Sequence, residues 1–545
     1  MQHVLQSYPS HLVPILETVL FLVGLLVLFL WPEASRRLAD KLLAGLAVRA
    51  ESTWRVILVV GLLAGLGNAA TTLVQGPPIP VVSDEWSYLL ATDTFASGRL
   101  TNPPSPHRAL VGENTLGTPT YQSKYPPAQG SILALGQRLG GHPVVGLWLS
   151  AALLAAAVTW CLQAWVGPHW AFLGGLLIAI RLGVGSYWNQ SYWGGSIAAI
   201  GGALVYGAVR RLTLAARPRL RDSLLLGLGL MVLANSRPFE GMLVSLPAAW
   251  ILASWFLRLA APERRFATVK VVLPIASLLV VTVIGVGYYN WRVTGDPMKM
   301  PHLHYKEIYE RPGEFVWERE PGAFSQHLAV ERTEDGEDAS WLSYGLRNGW
   351  RRIWFVLFLI LSPALAVPLL FGLGSLRDKS LRPLALACVM VLLGHFASDQ
   401  FYPHYSAPLT APIWILAMAV LAKAHDWRWR QRPVGAGLSL VAIGLIAISF
   451  LVQIPAFRPD ADAPIRERLE TQRDLEGRPG RHLVLGQRAV IYNYNPADIR
   501  QAEVLWAADM GTDENRRLFE LFPDYELWWL EIYGRSVELQ SLEVE

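Results

Sequence analysis

The chain has 545 residues, of which 52% are hydrophobic and only 17% charged, with a formal net charge of +4. A water-soluble protein of this length would need more charge to cover its surface, so the balance points to a lipid environment. The basic excess invites a nucleic-acid reading, but its placement rejects it, because Lys and Arg cluster in short spacers between apolar runs, where they orient membrane helices.

A bilayer-spanning helix needs about 20 largely apolar residues. Such runs lie near residues 13–31, 54–75, 143–165, 168–186, 193–209, 268–289, 353–373, 384–397, 405–422 and 434–453. The stretch Leu224–Leu257 would make one helix of roughly 50 Å, against the ~30 Å of a hydrocarbon core. Arg210, Arg211, Arg217, Arg219 and Arg221 precede it, and Arg258, Arg264 and Arg265 follow it. A hairpin puts both clusters on the cytoplasmic side and gives about twelve spans. The fold class expected is an all-α polytopic membrane protein. The remaining basic spacers agree with that topology: Arg36, Arg37, Lys41 and Arg49, then Arg377, Lys379 and Arg382, then Lys423, Arg428, Arg430 and Arg432. The N-terminal run has no preceding Lys or Arg and reads as a retained, N-out span.

Parity places outside the cytoplasm a first loop (77–142), a second (291–350) and a tail (455–545), so that residues 1–454 form a membrane domain and 455–545 a small α/β domain. In the tail, His482–Leu485 and Ala489–Tyr492 read as strands and Pro496–Met510 as a helix. Cys161 and Cys388, both inside apolar runs, imply neither a disulfide framework nor a zinc site.

Four polar clusters fall on the outer face. The first loop opens Ser83-Asp84-Glu85-Trp86-Ser87-Tyr88, with Ser83 suited to cap a helix whose positive end favours Asp84 and Glu85. Trp86, Leu89, Leu90 and Phe95 could lay that helix on the membrane surface. Alternatively, one of its carboxylates is a general base beside the bilayer. Further on, Lys124-Tyr125-Pro126-Pro127 has a Pro pair that fixes an extended entry into a helix and rigidifies Lys124. The hairpin turn carries Arg237 and Glu240 near the outer interface, either as a pair or as the charged turn of an anion site. The fourth cluster holds Asp399, Tyr402, His404 and Tyr405, readable as an aromatic belt or as the lining of a polar pocket.

With Asp84-Glu85 and Lys124-Tyr125-Pro126-Pro127 as its most specific parts, the chain resembles the C-class (GT-C fold) glycosyltransferases, enzymes that use polyprenyl-phosphate-linked sugars. It is similar in layout to the protein O-mannosyltransferases and to the transferases that add aminoarabinose to lipid A. The extra N-out span departs from that layout and shifts the helix count. The resemblance implies a polyprenyl-phosphate sugar donor, a glycan, lipid or protein acceptor and a site facing the exterior of a bacterial inner membrane. It also implies an inverting outcome. On this reading Asp84 is the first choice of base and Glu85 the second. Lys124 and Arg237 hold the leaving phosphate, while Tyr88, Tyr125, Glu240, Asp399, Tyr402, His404 and Tyr405 contact substrate. A divalent metal is an option that some relatives raise, but no His/Asp spacing predicts a site. The competing classes are a transporter or flippase of lipid-linked sugars, and a ligase or polymerase of envelope glycans.

Overall fold

Each apolar run is helical in the computed structural model, which describes residues 12–50, 52–309, 315, 317, 341–398, 401–453, 463–486, 494–533 and 536–542. Among the described residues, Thr53–Gln75, Val144–Leu162, Ser196–Leu214, Pro238–Arg258, Ala261–Thr294 and Pro403–His425 are long and apolar enough to cross a membrane. A bent pair, Glu17–Leu30 and Pro32–Arg49, meets at 107° and is a seventh candidate. Pro168–Val184, Val356–Leu370, Arg382–Ala397 and Gly435–Ile448 are apolar but shorter.

The long run at 224–257 is a hairpin of helices Leu220–Ala234 and Pro238–Arg258. The chain turns at Asn235–Arg237, and Pro238 starts the second arm because its ring presets the helical φ and needs no donor in the first turn.

Small residues let the helices close on one another. A Cβ on Gly61 would lie 3.1 Å from the Ala152 carbonyl, and one on Gly202 would lie 2.1 Å from the Pro408 carbonyl. The second contact presses helix Ser196–Leu214 against the 3₁₀ segment Pro403–Leu409, which carries His404 and Tyr405.

The first loop folds into helix Ser83–Ala96, a two-residue antiparallel pair (β1 Thr115–Leu116, β2 Gln122–Ser123) and helix Pro127–Gly140. Ser83 is not the cap of its helix. The helix starts at Ser83 itself, and Glu85 reaches back to the Val81 and Val82 amides in place of a capping hydroxyl. Nor does this helix lie on a membrane surface. Trp86 and Leu90 are buried, the first against Tyr494 and the second in a cluster with Leu483, Leu485 and Leu505 of the C-terminal portion.

That portion contains β3 (Arg481–Gly486), β4 (Val504–Ala508), β5 (Tyr525–Tyr533) and β6 (Ser536–Ser541) in the order β4-β3-β5-β6, with helices Ala463–Glu476 and Thr512–Leu521. The first three strands run parallel and β6 is antiparallel. The strand read at His482–Leu485 is β3, while the one read at Ala489–Tyr492 lies outside the described residues. The helix read at Pro496–Met510 is instead a 3₁₀ turn followed by strand β4. Alternation decides it: Leu505 and Ala507 enter one cluster, Val504 and Trp506 the cluster on the opposite face. The alanines that suggested a helix fill a strand buried on both sides.

Arg468 locks this portion to the first loop. Its guanidinium lies 4.7 Å from the Trp86 ring and 4.4 Å from that of Trp506, so buried that its pKa falls to about 9 against the opposing pull of Tyr494. Desolvated cation–π contacts are worth about 2 kcal/mol or more. Arg468→Ala is therefore expected to speed chymotryptic cleavage within residues 463–542 by roughly tenfold or more in detergent solution. An unchanged digestion rate would remove Arg468 from this role.

Candidate active site

Helix Ser83–Ala96 brings Asp84, Glu85 and Tyr88 together, but to different surroundings. Glu85 is fully buried, and its two oxygens accept from three backbone amides: Val81 at 2.8 Å, Val82 at 3.3 Å and Tyr192 at 2.9 Å. Glu85 thus staples the loop helix to the Ser191–Gly195 segment and offers no oxygen to a substrate. Its expected place as second base does not fit this geometry. Burial pushes its carboxyl from 4.5 up to about 7, outweighing the three amides that favour the charged form, and neighbouring Asp84 adds repulsion.

Since the folded-state value exceeds the unfolded one, Glu85 contributes stability that is fully present below pH 4.5 and is lost as pH rises through about 7. The expected loss across that window is about 3 kcal/mol, at about 1.4 kcal/mol per unit. Unfolding midpoints in detergent, measured from pH 4.5 to 8, should fall in the wild type and stay flatter in Glu85→Gln. Parallel curves would disprove the assignment.

Asp84 is half-buried and accepts a hydrogen bond from Asn114 Nδ2 at 2.6 Å. The Tyr125 phenol bonds to the same carboxylate, and burial together with Asp84 holds that phenol well above its usual range. Tyr125 stacks on Tyr88 with ring centroids 4.6 Å apart. Burial pushes the Tyr88 phenol up to about 12, with Arg237 pulling it down and Asp84 raising it.

Lys124 precedes Tyr125, and the Pro126–Pro127 pair leads into helix Pro127–Gly140 as the local sequence dictates. The Ala128 amide donates to the Asn235 carbonyl at 3.0 Å, joining this entry to the hairpin turn. The Lys124 ammonium lies 4.2 Å from the Tyr305 ring centroid and 5.6 Å from that of Tyr125.

Arg237 caps the second hairpin arm with its guanidinium 4.0 Å from the Tyr405 ring, and its other electrostatic neighbours are Tyr88, Glu240 and Tyr125. Glu240 is itself buried. His404, 1% exposed, accepts or donates at Nδ1 with the Tyr187 hydroxyl at 3.0 Å, and its Nε2 has no hydrogen-bond partner among the described residues. Its ring packs 4.7 Å from Trp193 and 5.8 Å from Tyr402. Asp399 lies outside the described residues.

Tyr88, Pro126, Gln129, Trp193, Ser236 and Arg237 meet around a cleft with about 280 Å³ of open space, part of it continuous with the surroundings. Three distant segments therefore share one cavity: the first loop, the 191–195 connection and the hairpin turn. The connection was not singled out in the sequence, because Trp193-Gly194-Gly195 runs into an apolar stretch. Its signal is the glycine pair. Gly194 and Gly195 adopt φ of +94° and +133°, and a Cβ on Gly195 would lie 2.6 Å from the Trp188 ring. Asn114 was also missed, sitting in a loop stretch that reads as an ordinary turn.

Among the described residues no group of three His, Cys, Asp or Glu side chains converges as a cation would require. No step proposed for this site depends on a divalent metal.

No family model matches the chain, and no curated protein matches its sequence. Solved structures do match. Over 86% of this chain and 87% of its counterpart, the structure aligns with ArnT from Cupriavidus metallidurans bound to undecaprenyl phosphate, at 13% identity and a TM-score of 0.54. The fold is that of the C-class glycosyltransferases. The apo oligosaccharyltransferase of Archaeoglobus fulgidus is similar over 88% of this chain and 69% of its own, at 13% identity and a TM-score of 0.45, a likeness too loose to add to that statement. Identities this low establish a shared fold and assign no residue a role.

Proposed function

We propose that the chain is a membrane glycosyltransferase that moves a sugar from a polyprenyl-phosphate carrier to an acceptor hydroxyl outside the cytoplasm. The observation that carries this reading is that Tyr88 and Arg237 line one cleft, while Tyr125 stacks on Tyr88 and bonds to the Asp84 carboxylate. It is supported by the shared fold with ArnT, whose structure contains undecaprenyl phosphate.

In this mechanism the acceptor oxygen attacks the anomeric carbon as the bond from that carbon to the phosphate oxygen breaks. The hydroxyl proton passes to Asp84, and the departing phosphate monoester gains charge. Arg237 meets that charge as a two-pronged donor, and Lys124 as a point charge held between two aromatic rings. Trp193, Tyr402 and His404 form an aromatic wall on which a sugar ring packs. The chain crosses the bilayer about twelve times, with residues 1–454 as the membrane domain and 455–545 as an outer domain. On this reading the cleft faces the outer side of the membrane, the side opposite the basic spacers, and the resemblance makes that membrane a bacterial inner one.

A panel of radiolabelled undecaprenyl-phosphate sugars supplied to the purified protein with cell-envelope extract tests this reading. Transfer of label to a lipid, glycan or protein fraction is the expected result. Movement of the same carriers across liposome membranes without transfer would favour a flippase, and transfer only from diphosphate-linked oligosaccharides would favour a ligase or polymerase.

A further inference from the structure

Asn114 occupies the left-handed region at φ +61°, which asparagine tolerates better than most residues, and is only 6% exposed. Its side-chain amide and its carbonyl both point at the first loop. Its Nδ2 donates to Asp84 Oδ1 at 2.6 Å and to Ser83 Oγ at 2.8 Å. Its carbonyl accepts from Ser87 Oγ at 2.6 Å and from the Lys124 amide at 3.2 Å. Its own amide donates to the Tyr305 hydroxyl at 3.0 Å, and the Tyr305 ring lies under the Lys124 ammonium. A turn with no further duty could satisfy these groups with its own backbone. Here one residue instead spans the helix that carries Asp84 and the strand end that carries Lys124.

We infer that Asn114 is a positioning residue that aims Asp84: it commits Oδ1 to an amide donor and fixes the base relative to Lys124. The inference rests on the reading of Asp84 as general base. An amide donor favours the charged carboxylate, so its removal makes the base harder to ionise. The titratable groups that face Asp84 from the packed elements are Glu85, Tyr88, Tyr125 and Tyr405. All of them remain in the variants.

The test uses Asn114→Gly, which keeps the left-handed backbone, and Asn114→Asp, which keeps the shape but replaces the donor with a carboxylate. A hydrophobic carbodiimide, which attacks only protonated carboxyls, is applied across pH to the full-length protein in detergent, and Asp84 modification is read by peptide mass spectrometry. Modification is expected to persist to higher pH in Asn114→Gly than in the wild type, and to still higher pH in Asn114→Asp. In the label-transfer assay the acidic limb of the pH–rate profile should move the same way. Turnover should fall about tenfold to a hundredfold, as misaligned catalytic groups do, with KM for the donor within about threefold. Unchanged carbodiimide profiles in both variants would overturn the inference, whether turnover holds or falls together with melting temperature. Undiminished transfer by Asp84→Asn would instead sink the base reading on which it stands.

Discussion

Asp84→Asn is expected to lower label transfer by about 10²- to 10⁴-fold while leaving the protein folded, the range that a positioned general base contributes. The substitution is mild for the structure. Asn can still accept the bond from Asn114 Nδ2 and is nearly the size of the aspartate it replaces. What it removes is the capacity to take a proton. Glu85 offers no substitute, because its fully buried oxygens are held by the Val81, Val82 and Tyr192 amides. Tyr125 and Tyr88 do not substitute either, since burial keeps both phenols protonated at neutral pH. The measurement is initial transfer rate at fixed donor, with size-exclusion elution in detergent as the folding control. Equal rates for wild type and variant would end the assignment.

Arg237→Ala should be comparably damaging, by about 10²- to 10³-fold in turnover, the scale for removing one preorganised donor from developing charge. Its guanidinium sits at the cleft beside Tyr405, Tyr88 and Tyr125, where water competes poorly for an anion. Arg237→Lys discriminates between charge and shape. An ammonium restores the point charge but not the paired donors, so it should recover only part of the loss and remain about tenfold or more below wild type. Binding of undecaprenyl phosphate, measured separately, should weaken in parallel. If the alanine variant binds and turns over normally, Arg237 is a structural cap of helix Pro238–Arg258 and nothing more.

The membrane helices and the polar islands between them were legible because both follow from local chemistry. An apolar run must be helical in lipid, and a charge inside one must have a reason. Hence the hairpin at Asn235–Arg237 could be placed from its length and its flanking arginines alone. The Pro126–Pro127 entry was equally local. What escaped depends on partners that sequence does not display. Glu85 looks like Asp84's equal until the three amides that occupy it are in view. Asn114 lies 30 residues from the carboxylate it touches. Trp193 and the glycine pair were hidden by the apolar run that follows them. In the tail, the run around β4 has helical composition, and only burial on both faces makes it a strand.

The clamp on helix Ser83–Ala96 has a consequence for the order of events during biosynthesis. This helix is translated early, yet the groups that hold its outer face come from far downstream. Arg468 and Tyr494 lie against Trp86, and the Ala497 amide donates to Asp93 at 2.8 Å. The Tyr121 hydroxyl donates to the Asn495 carbonyl at 2.9 Å. Until the C-terminal portion has emerged and folded, the segment bearing Asp84 lacks these contacts. A nascent chain therefore carries the first-loop helix without its C-terminal partners until late in synthesis.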